Sequence, residues 1–474
     1  MVLVNIVDKV NGWVWGTPLV IVCLGAGLVF SIWTRFMQVR HFKAMLAQLR
    51  EGKSSKTGIS SFQGFAMALG GRVGTGNIAG VAVAIAMGGP GALFWMWVLA
   101  FFGASTAYIE STLAQVWKEK RTGEYRGGPS YYIEHGLGLK WFAIVYAIAI
   151  VLSNGILLPG IQSNSIALAF EGGFNIPTWI SGAFVTVLLA LVIFGGARRI
   201  GRVAQVVVPF MAVSYMIVAV IVILMDFRRV PEMLGLIFSS AFGAHELFGG
   251  IVGSAILWGV KRGIFSNDAG QGTGAIAAGA AEARHPAQQG IVQAFSIYVD
   301  TLGVCTATGL MLLLTGQYNV IRPDGTFVVN NLPGVQQGPQ FTQAAIDAII
   351  PGFGGGFVAI ALFFFAFTTA MVAAYYAESH IAYLVRGKAS KMCIFAIRVC
   401  LLGMTYFGSV RAASLMWAMG DIGVALQAWL NLVAILALGG VAIKVLRDFE
   451  RQLQDGLPLA FDPEKLGIKN TECW

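Results

Sequence analysis

The chain has 474 residues, of which 57% are hydrophobic and only 12% are charged, and its formal net charge is +9. Soluble proteins carry about 25% charged residues, so this chain has too little charge to cover a water-facing surface. The apolar surplus must face lipid, which excludes a soluble protein. The basic residues gather in alternate loops, which argues against a nucleic-acid surface. The five cysteines are scattered, and they indicate neither a disulfide framework nor a metal pair.

A helix needs roughly 20 apolar residues to cross the hydrocarbon core of a bilayer. On this basis the sequence predicts an all-α integral membrane protein with eleven transmembrane helices, near residues 14–35, 60–87, 92–117, 141–169, 177–197, 203–226, 234–264, 289–316, 353–379, 391–409 and 413–445. One outer loop is long, about 317–352. Within it RPDG predicts a turn between two β-prone stretches, and TQAAIDAII predicts a short helix. This loop is either a passive connection or a lid.

Basic residues decide the predicted orientation, because lysine and arginine accumulate in cytoplasmic loops. One set of alternate loops, together with the C-terminal tail, holds most of them: Arg40, Lys43, Arg50, Lys53, Lys56, Lys118, Lys120, Arg121, Arg126, Lys140, Arg198, Arg199, Arg202, Arg284, Arg386, Lys388, Lys444, Arg447 and Arg451. We therefore expect the N-terminus outside and the C-terminus in the cytoplasm. The predicted location is the cytoplasmic (inner) membrane of a bacterium or archaeon.

The second predicted span contains a glycine-rich stretch, LGGRVGTGNIAG, at residues 69–80. Irregular backbone at membrane depth is tolerated only where it lines a cavity or is buried in protein. We therefore predict that the helix unwinds near Gly74 and Gly76. The freed N–H groups suit a carboxylate and the freed carbonyls suit a small cation, with Thr75 and Asn77 adding polar side chains. Close helix packing through small residues is the alternative.

The seventh predicted span has a second glycine-rich interruption, formed by Gly249, Gly250, Gly253 and Ser254. The two broken spans are the first and sixth once the N-terminal helix is set aside. Such a pair predicts a transporter built as an inverted repeat with its binding site at the breaks. The predicted organisation is an outer segment, first helix and cytoplasmic linker (1–58), two five-helix repeats (59–226 and 227–445) and a cytoplasmic tail (446–474).

Two further spans carry polar residues. Thr368 and Thr369 adjoin in the ninth span, and their hydroxyls with freed carbonyls suit Na+, a hard cation. The alternative is that each threonine bonds back to a carbonyl of its own helix. In the fourth span, Gln162 and Asn164 either hold helices together or face a cavity.

Several charged residues lie within or near span ends, and each either extends to the membrane interface, is paired structurally, or is coupled to a proton or ion: Arg72, Glu110, Asp300, Glu378 and Asp421. The sequence has no HExxH, GxSxG or Walker A motif and no visible nucleophile–base set, so we expect a protein that is not an enzyme. A channel is the remote rival, and it would normally need several chains or a repeated filter motif.

Four stretches, GGRVGTGNIAGVA, RGIFSNDAGQGTGA, HPAQQGIVQAFSIYVDT and FAFTTAMVAAYYAE, resemble the alanine/glycine:cation symporter family, which includes sodium:alanine symporters. The resemblance covers about residues 15 to 445. It implies eleven helices, of which the last ten have the inverted-repeat fold of leucine transporters. It also implies sodium-driven uptake of alanine, glycine or a similar small neutral amino acid of L or D configuration.

Carried over position by position, the resemblance implies where the substrate and the ion bind. The substrate carboxylate would be held by Gly74, Thr75, Gly76 and Asn77. Its ammonium and side chain would face Gly250, Ile251, Gly253 and Ser254, with Gln162 completing the polar end. Thr369 and Ala373 would also contact the substrate. The Na+ ligands would be the carbonyls of Gly70, Val73 and Phe365 with the hydroxyls of Thr368 and Thr369. The stretch SNDAGQGTGA would shape the inner gate.

Two departures from the family pattern bear on the substrate. Asp268 and Thr273 stand where the family usually has glutamate and serine, which is a mild change. Ala373 stands where several members have a large aromatic residue near the substrate side chain. Since a few methylenes are worth only about 1–3 kcal/mol of discrimination, the substrate could be a larger neutral amino acid such as glutamine. Coupling to H+ instead of Na+ is a further alternative.

Overall fold

The computed structural model describes residues 2–49, 55, 57–121, 123–385 and 387–474. Arg50, Lys53, Lys56 and Arg386, which enter the orientation argument, lie outside the described residues. The described chain is mostly helical. Its α-helices are α1 Val2–Val14, α2 Thr17–Trp33, α3 Met37–Arg40, α4 Phe42–Gln48, α5 Ser61–Arg72, α6 Val81–Gly88, α7 Gly91–Val116, α8 Pro129–Leu137, α9 Lys140–Leu152, α10 Pro159–Phe174, α11 Thr178–Ile193, α12 Gly196–Met225, α13 Val230–Ala241, α14 Val252–Asn267, α15 Thr273–Gly279, α16 Pro286–Ile297, α17 Thr306–Thr315, α18 Pro339–Asp347, α19 Gly354–Leu384, α20 Lys388–Ser409 and α21 Ala413–Gln454.

Short π-helical and 3-10 segments connect some of these helices. The π segments are Gly76–Gly80, Ser153–Leu157 and Tyr298–Cys305, and the 3-10 segments are Phe227–Arg229 and Gly249–Ile251. The π segment before α10 has a simple cause. Pro159 has no N–H to continue the α pattern, and the preceding Leu158 N–H reaches back five residues to the Ser153 carbonyl at 2.8 Å.

Two small hairpins lie in loops. Strand β1 (Glu119–Arg121) pairs antiparallel with β2 (Glu124–Arg126), and β3 (Asn319–Ile321) pairs antiparallel with β4 (Phe327–Asn330). The second hairpin turns at RPDG, where Gly325 has a φ of +85°. The predicted turn in the long loop is therefore confirmed, as is the short helix, which is α18.

Seven helical stretches of the described chain are long and apolar enough to cross a membrane: Gly91–Val116, Lys140–Phe174, Arg198–Met225, Pro286–Thr315, Gly354–Leu384, Ala389–Ser409 and Ala413–Gln454. An eighth results if Ser61–Arg72 and Gly76–Gly88, bent by 48°, are one broken span. Thr17–Trp33 and Thr178–Ile193 are shorter apolar helices at two further predicted spans.

The predicted span 234–264 is interrupted, as its glycine-rich stretch indicated, although the interruption covers residues 242–251 and not 249–254. Helix α13 ends at Ala241, and Gly243 then has a φ of +74°, which a helix cannot include. Helix α14 begins only at Val252 and runs to Asn267. A further break, Asp268–Gly272, separates α14 from α15, and its residues Asp268, Gly270 and Gly272 all have positive φ.

We call the break between α5 and α6 the first interruption and Asp268–Gly272 the second interruption. Both lie at the centre of the helical packing. Helix α7 packs against α14, α15 and α16, while α5 packs against α12, α15 and α19. Helix α10 packs against α19 and α20. The start of α5 is fixed by a capping box, in which Ser60 and Gln63 exchange side-chain and backbone hydrogen bonds. These contacts hold the half-helices on either side of each interruption in one core.

The residues after α21 also lie against the core. The Trp474 indole donates to the Gln115 carbonyl at 2.8 Å, and the Trp117 indole donates to the Lys469 carbonyl at 3.0 Å. Lys118 Nζ lies 4.5 Å from the centre of the Trp474 ring. The predicted tail is therefore docked on the end of α7.

Candidate functional site

The first interruption opens where α5 ends. Val73 has an extended conformation, with φ −71° and ψ 90°, and the helix direction changes by 48° across the break. The Gly74 N–H donates to the Asn77 side-chain oxygen at 2.8 Å, so a side chain replaces a lost helical partner. A Cβ on Gly76 would lie 3.0 Å from Ser266 Cα, at the end of α14. Glycine is therefore needed for the close approach of the two interrupted helices.

A cavity lies between the two interruptions and is closed by helices α10, α19 and α21. Its lining residues are Gly71, Arg72, Gly74, Thr75, Gly76, Asn154, Leu158, Pro159, Gln162, Phe265, Asp268, Gln271, Thr273, Thr369, Ala370, Ala373, Tyr376 and Val424. Amides, hydroxyls and backbone groups occupy one part of this wall, and small apolar side chains of α19 occupy another. This lining offers hydrogen-bonding groups at one end and apolar contact at the other.

Six of the predicted substrate residues line this cavity: Gly74, Thr75, Gly76, Gln162, Thr369 and Ala373. The Thr75 N–H donates to Gln162 Oε1 at 3.3 Å, which joins the interruption to α10. The Thr75 hydroxyl is buried without a hydrogen-bond partner among the described residues. A buried hydroxyl of this kind is available to a ligand.

Asn77 lies behind the cavity wall. Its Nδ2 donates to Asp300 Oδ1 at 2.7 Å, while its oxygen accepts from Gly74. Asn77 therefore fixes the shape of the first interruption and links it to the π segment around Asp300.

Gly250, Ile251, Gly253 and Ser254, which were predicted to face the substrate, are not among the residues that line this cavity. They lie in the 3-10 turn and at the start of α14, where Gly250 and Gly253 are exposed. The cavity wall on this side is formed instead by Phe265, Asp268, Gln271 and Thr273. The motif SNDAGQGTGA, expected at the inner gate, thus supplies the second interruption. The glycines of this motif could have indicated a helix break at the cavity, but the glycines at 249–253 indicated another break.

Four of the five predicted cation ligands converge. The Thr369 hydroxyl lies 3.1 Å from the Gly70 carbonyl oxygen and 3.1 Å from that of Phe365. The Thr368 hydroxyl donates to the same Phe365 oxygen at 2.9 Å, so both threonines bond back to their own helix, which is the alternative that the sequence left open. Val73 is fully buried one turn after Gly70, and its carbonyl is not among the atoms that these hydrogen bonds join. The set contains only neutral oxygens, which suits a hard monovalent cation.

The two amides of α10 have different surroundings. Gln162 faces the cavity, whereas Asn164 donates to the carbonyls of Gly408 and Arg411 at 2.9 and 2.8 Å. The sequence left both roles open for both residues, and the structure assigns one to each.

Arg72 ends α5 and joins three elements around the cavity. Its Nε donates to the Asn267 carbonyl at 2.7 Å, and its Nη1 donates to Gln293 Oε1 at 2.9 Å and to the Ser296 hydroxyl. Its Nη2 is buried without a partner among the described residues. Arg72 therefore has no carboxylate within ion-pair distance in the described part of the chain.

Three buried carboxylates surround this region. Asp300 accepts from Asn77, from the Ser266 hydroxyl at 2.9 Å and from the Thr301 hydroxyl at 2.8 Å. Asp268 accepts from Gln271 at 3.1 Å and from Thr273 at 2.9 Å. Glu110 Oε2 accepts from the Gly272 N–H at 3.1 Å and from Asn431 Nδ2 at 2.9 Å.

A charged group separates the cavity from a wider one beside the long loop. Asp421 lies 2.5 Å from Arg262 Nη2 and 2.8 Å from Lys261 Nζ, and all three line the wider cavity. The Arg262 guanidinium lies 4.5 Å from the centre of the Trp417 ring, which in turn lies 5.0 Å from that of Phe265. We refer to Arg262, Asp421, Trp417 and Phe265 as the roof. Glu378 is also paired, with Arg398 Nε at 2.6 Å.

A mostly helical chain with seven to eight apolar spans and a polar cavity between interrupted helices has the architecture of a multi-pass membrane transporter. The chain belongs to the sodium:alanine symporter family, whose model matches residues 1–463. The resemblance seen in the motifs is therefore confirmed, and so are sodium-coupled alanine symport and Na+ as the coupling ion at the level of the family.

Three relatives are similar over nearly their whole lengths. YrbD of Bacillus subtilis (strain 168) is 54% identical over 472 residues, covering 100% of this chain and 98% of YrbD. The sodium/proton-dependent alanine carrier protein of Bacillus sp. (strain PS3) is 51% identical, covering 91% of this chain and 97% of the carrier. GlnT of Bacillus subtilis (strain 168), whose name associates it with sodium and glutamine, is 39% identical, covering 100% of this chain and 96% of GlnT.

The fold is shared with solved membrane transporters. A Na+-coupled sialic acid symporter in a substrate-bound outward-open state aligns with a TM-score of 0.51 and 11% identity, covering 94% of each chain. At this identity the likeness concerns the fold alone.

Proposed function

We propose that this chain is a secondary active transporter that couples Na+ influx to the uptake of alanine, glycine or D-alanine by alternating access. The position of Thr369 carries this proposal. Its side chain lines the cavity, and its hydroxyl also contacts the carbonyls of Gly70 and Phe365. An ion bound at those carbonyls would order the wall that the amino acid contacts, so each ligand favours binding of the other.

The cavity offers complementary groups to a zwitterion. The Thr75 hydroxyl and the N–H groups near Gly76 lie at the start of a half-helix, where a carboxylate is stabilised. Acceptors for the substrate ammonium are the Asp268 carboxylate and Gln162 Oε1, both in the lining. Ala370 and Ala373 would contact the methyl group of alanine. In this arrangement Asp268 and Gln162 take the part that the sequence assigned to Gly250 to Ser254.

For Na+ we propose the carbonyls of Gly70, Val73 and Phe365 with the hydroxyls of Thr368 and Thr369. Carbonyls at the end of α5 carry partial negative charge because no helical N–H follows them. The hydroxyl protons that now point at these carbonyls would turn away, which presents oxygen lone pairs to the ion.

The finer topology is also a proposal. Eleven transmembrane helices result if four more are added to the seven long spans. These four are the broken span, Thr17–Trp33, Thr178–Ile193 and α14 together with α15. The interruptions then fall in the first and sixth core helices, as an inverted repeat of residues 59–226 and 227–445 requires. We place the N-terminus outside and the C-terminus in the cytoplasm.

A second candidate substrate is a larger neutral amino acid such as glutamine. Ala373 lines the cavity, and its methyl group leaves room that a large side chain would fill. The similarity to GlnT supports this candidate. The name of the Bacillus sp. (strain PS3) carrier includes the proton, which supports H+ as a second coupling ion.

The test is uptake of labelled L-alanine into proteoliposomes of the purified protein, with an inward Na+ gradient and then with K+ in its place. Unlabelled competitors would run from glycine to glutamine in both configurations. We expect sodium-dependent accumulation that small amino acids block. Accumulation of glutamine without alanine would keep the mechanism and change the substrate, and flux that never exceeds equilibrium would indicate a channel or uniporter.

A further inference from the structure

The side chain of Glu110 lies one layer behind the cavity wall and is fully buried. Its Oε2 accepts from the backbone N–H of Gly272, in the second interruption, and from Asn431 Nδ2. Asn431 also donates to the Gly270 carbonyl at 2.9 Å. Glu110 and Asn431 thus hold the interruption between α7 and α21, directly beside the lining residues Gln271 and Thr273.

The other carboxylate oxygen, Glu110 Oε1, is buried without a hydrogen-bond partner among the described residues. An ionised oxygen without a donor is costly in a buried site, and a neutral hydroxyl there costs less. The remaining carboxylates differ in this respect. Asp300 accepts from three donors and Asp268 from two, with a donor on each oxygen of both. Donors favour the ionised form of those two.

The net charge of the cluster around Glu110 also favours a proton on one of its carboxylates. Three buried carboxylates, Glu110, Asp268 and Asp300, share the attraction of one guanidinium, that of Arg72. A bound amino acid is a zwitterion and adds no net charge, and one Na+ compensates one carboxylate. Within this cluster, which does not include Asp421, Lys261 and Arg262 at the roof, one negative charge then remains. A proton on one carboxylate removes it.

We propose that Glu110 is the residue that binds a proton during transport, so that alanine uptake depends on pH as well as on Na+. This rests on the proposed function and deepens it. In the described part of the chain, the charged and titratable groups within electrostatic range of Glu110 include Arg72 of α5, Asp268 of the interruption, Tyr132 of α8, Tyr146 of α9 and Tyr376 of α19.

The proton acts on the interruption through the Gly272 N–H. An ionised carboxylate is a stronger acceptor than a neutral one, so a proton on Oε1 weakens the hold of Oε2 on Gly272 without removing it. The lining residues on either side of Gly272 are then less firmly fixed to α7. Protonation is thereby coupled to the shape of the cavity wall.

Two measurements on wild type and Glu110→Gln test this. The first is the number of protons exchanged when alanine binds with Na+, from calorimetry in two buffers of different ionisation enthalpy. The second is the pH dependence of Na+-driven alanine uptake into proteoliposomes. The glutamine amide keeps an acceptor for Gly272 and Asn431 but cannot take up a proton. Glu171→Gln, at an exposed position of α10, is the control.

We expect proton exchange and pH-dependent uptake in wild type and in Glu171→Gln, and loss of both in Glu110→Gln. Proton exchange that persists in Glu110→Gln overturns the proposal, as does a wild type that exchanges no proton on binding alanine. Wild type without any Na+-driven alanine uptake would instead overturn the proposed function. If Glu110→Gln does not fold, Glu110→Asp must shift the pH midpoint of uptake, and an unchanged midpoint also overturns the proposal.

Discussion

At the scale of single residues, Thr369 is where the ion cluster and the cavity meet. We expect Thr369→Ala to raise the Na+ concentration for half-maximal alanine uptake by about 5- to 150-fold, because a lost hydrogen-bonding or ligating oxygen costs about 1–3 kcal/mol. The measurement is the initial uptake rate against Na+ concentration. Thr186→Ala is the matched control, since the Thr186 hydroxyl bonds, among the described residues, only to the Gly182 carbonyl of its own helix α11 at 2.7 Å. An unchanged Na+ curve in Thr369→Ala would remove the proposed ion site.

A second prediction at this scale concerns Ala373, which sets the room beside the substrate side chain. Ala373→Trp should exclude amino acids of the size of glutamine by steric overlap while alanine uptake persists. The measurement is competition by glutamine against labelled alanine, and alanine uptake by the same variant is the internal control. Selectivity that stays as in wild type would mean that Ala373 does not limit the substrate.

Most residues of the first interruption could be predicted from the sequence, because a glycine-rich break at membrane depth is tolerated only where the backbone lines a cavity or is buried in protein. Gly74, Thr75 and Gly76 line the cavity as expected, and Gln162 and Thr369 join them. Asn77 could not be placed in the same way. Whether its amide points at the cavity or at Asp300 depends on a contact between residues 223 positions apart.

At the scale of secondary-structure elements, the second interruption depends on backbone that only glycine adopts easily. Gly272 has a φ of +84°, and a Cβ there would overlap Cγ of Pro129. An alanine in the left-handed conformation costs about 1–2 kcal/mol. We expect Gly272→Ala to lower the free energy of unfolding by more than this, because the clash with Pro129 adds to the cost of the backbone conformation. Thermal unfolding in detergent measures this.

The matched control for that prediction is Gly325→Ala in the RPDG turn. Gly325 has nearly the same φ, +85°, but a Cβ there meets nothing within 4 Å. Gly325→Ala should therefore lower the free energy of unfolding only by the cost of the left-handed backbone conformation. Equal losses in the two variants would show that close packing at Gly272 is not important.

The position of the second interruption could not be read from the sequence, for a reason that concerns elements. Glycines occur both at 249–253 and at 270–274, and the helix is interrupted near both groups, before α14 and after it. Tertiary contacts decide which of these breaks lies at the cavity, since α14 packs along α7 and α6 as one helix from Val252 to Asn267. Its end at Asn267 then lies beside the first interruption, where Arg72 binds the Asn267 carbonyl.

At the scale of the whole molecule, the roof must separate if substrate enters from the wider cavity. Asp421 neutralises two buried cations there, Lys261 and Arg262. We expect Asp421→Asn to destabilise the folded protein by about 3–5 kcal/mol, because it leaves buried charge unpaired. Unfolding in mixed micelles measures this. Asp462→Asn, which breaks an exposed pair with Lys465, is the control and should cause no measurable change, so similar losses in both would contradict the prediction.

The docked tail gives the molecule a built-in optical reporter. The Trp474 indole bonds to the carbonyl of Gln115, and the side chain of that same residue donates to the carbonyls of Ala278 and Ala281, at and after the end of α15. One residue thus connects the tail to the half-helix that follows the second interruption. If α15 tilts during a transport cycle, the surroundings of the Trp474 ring change with it. The emission of this indole would then follow the cycle from the end of α7, outside the cavity lining.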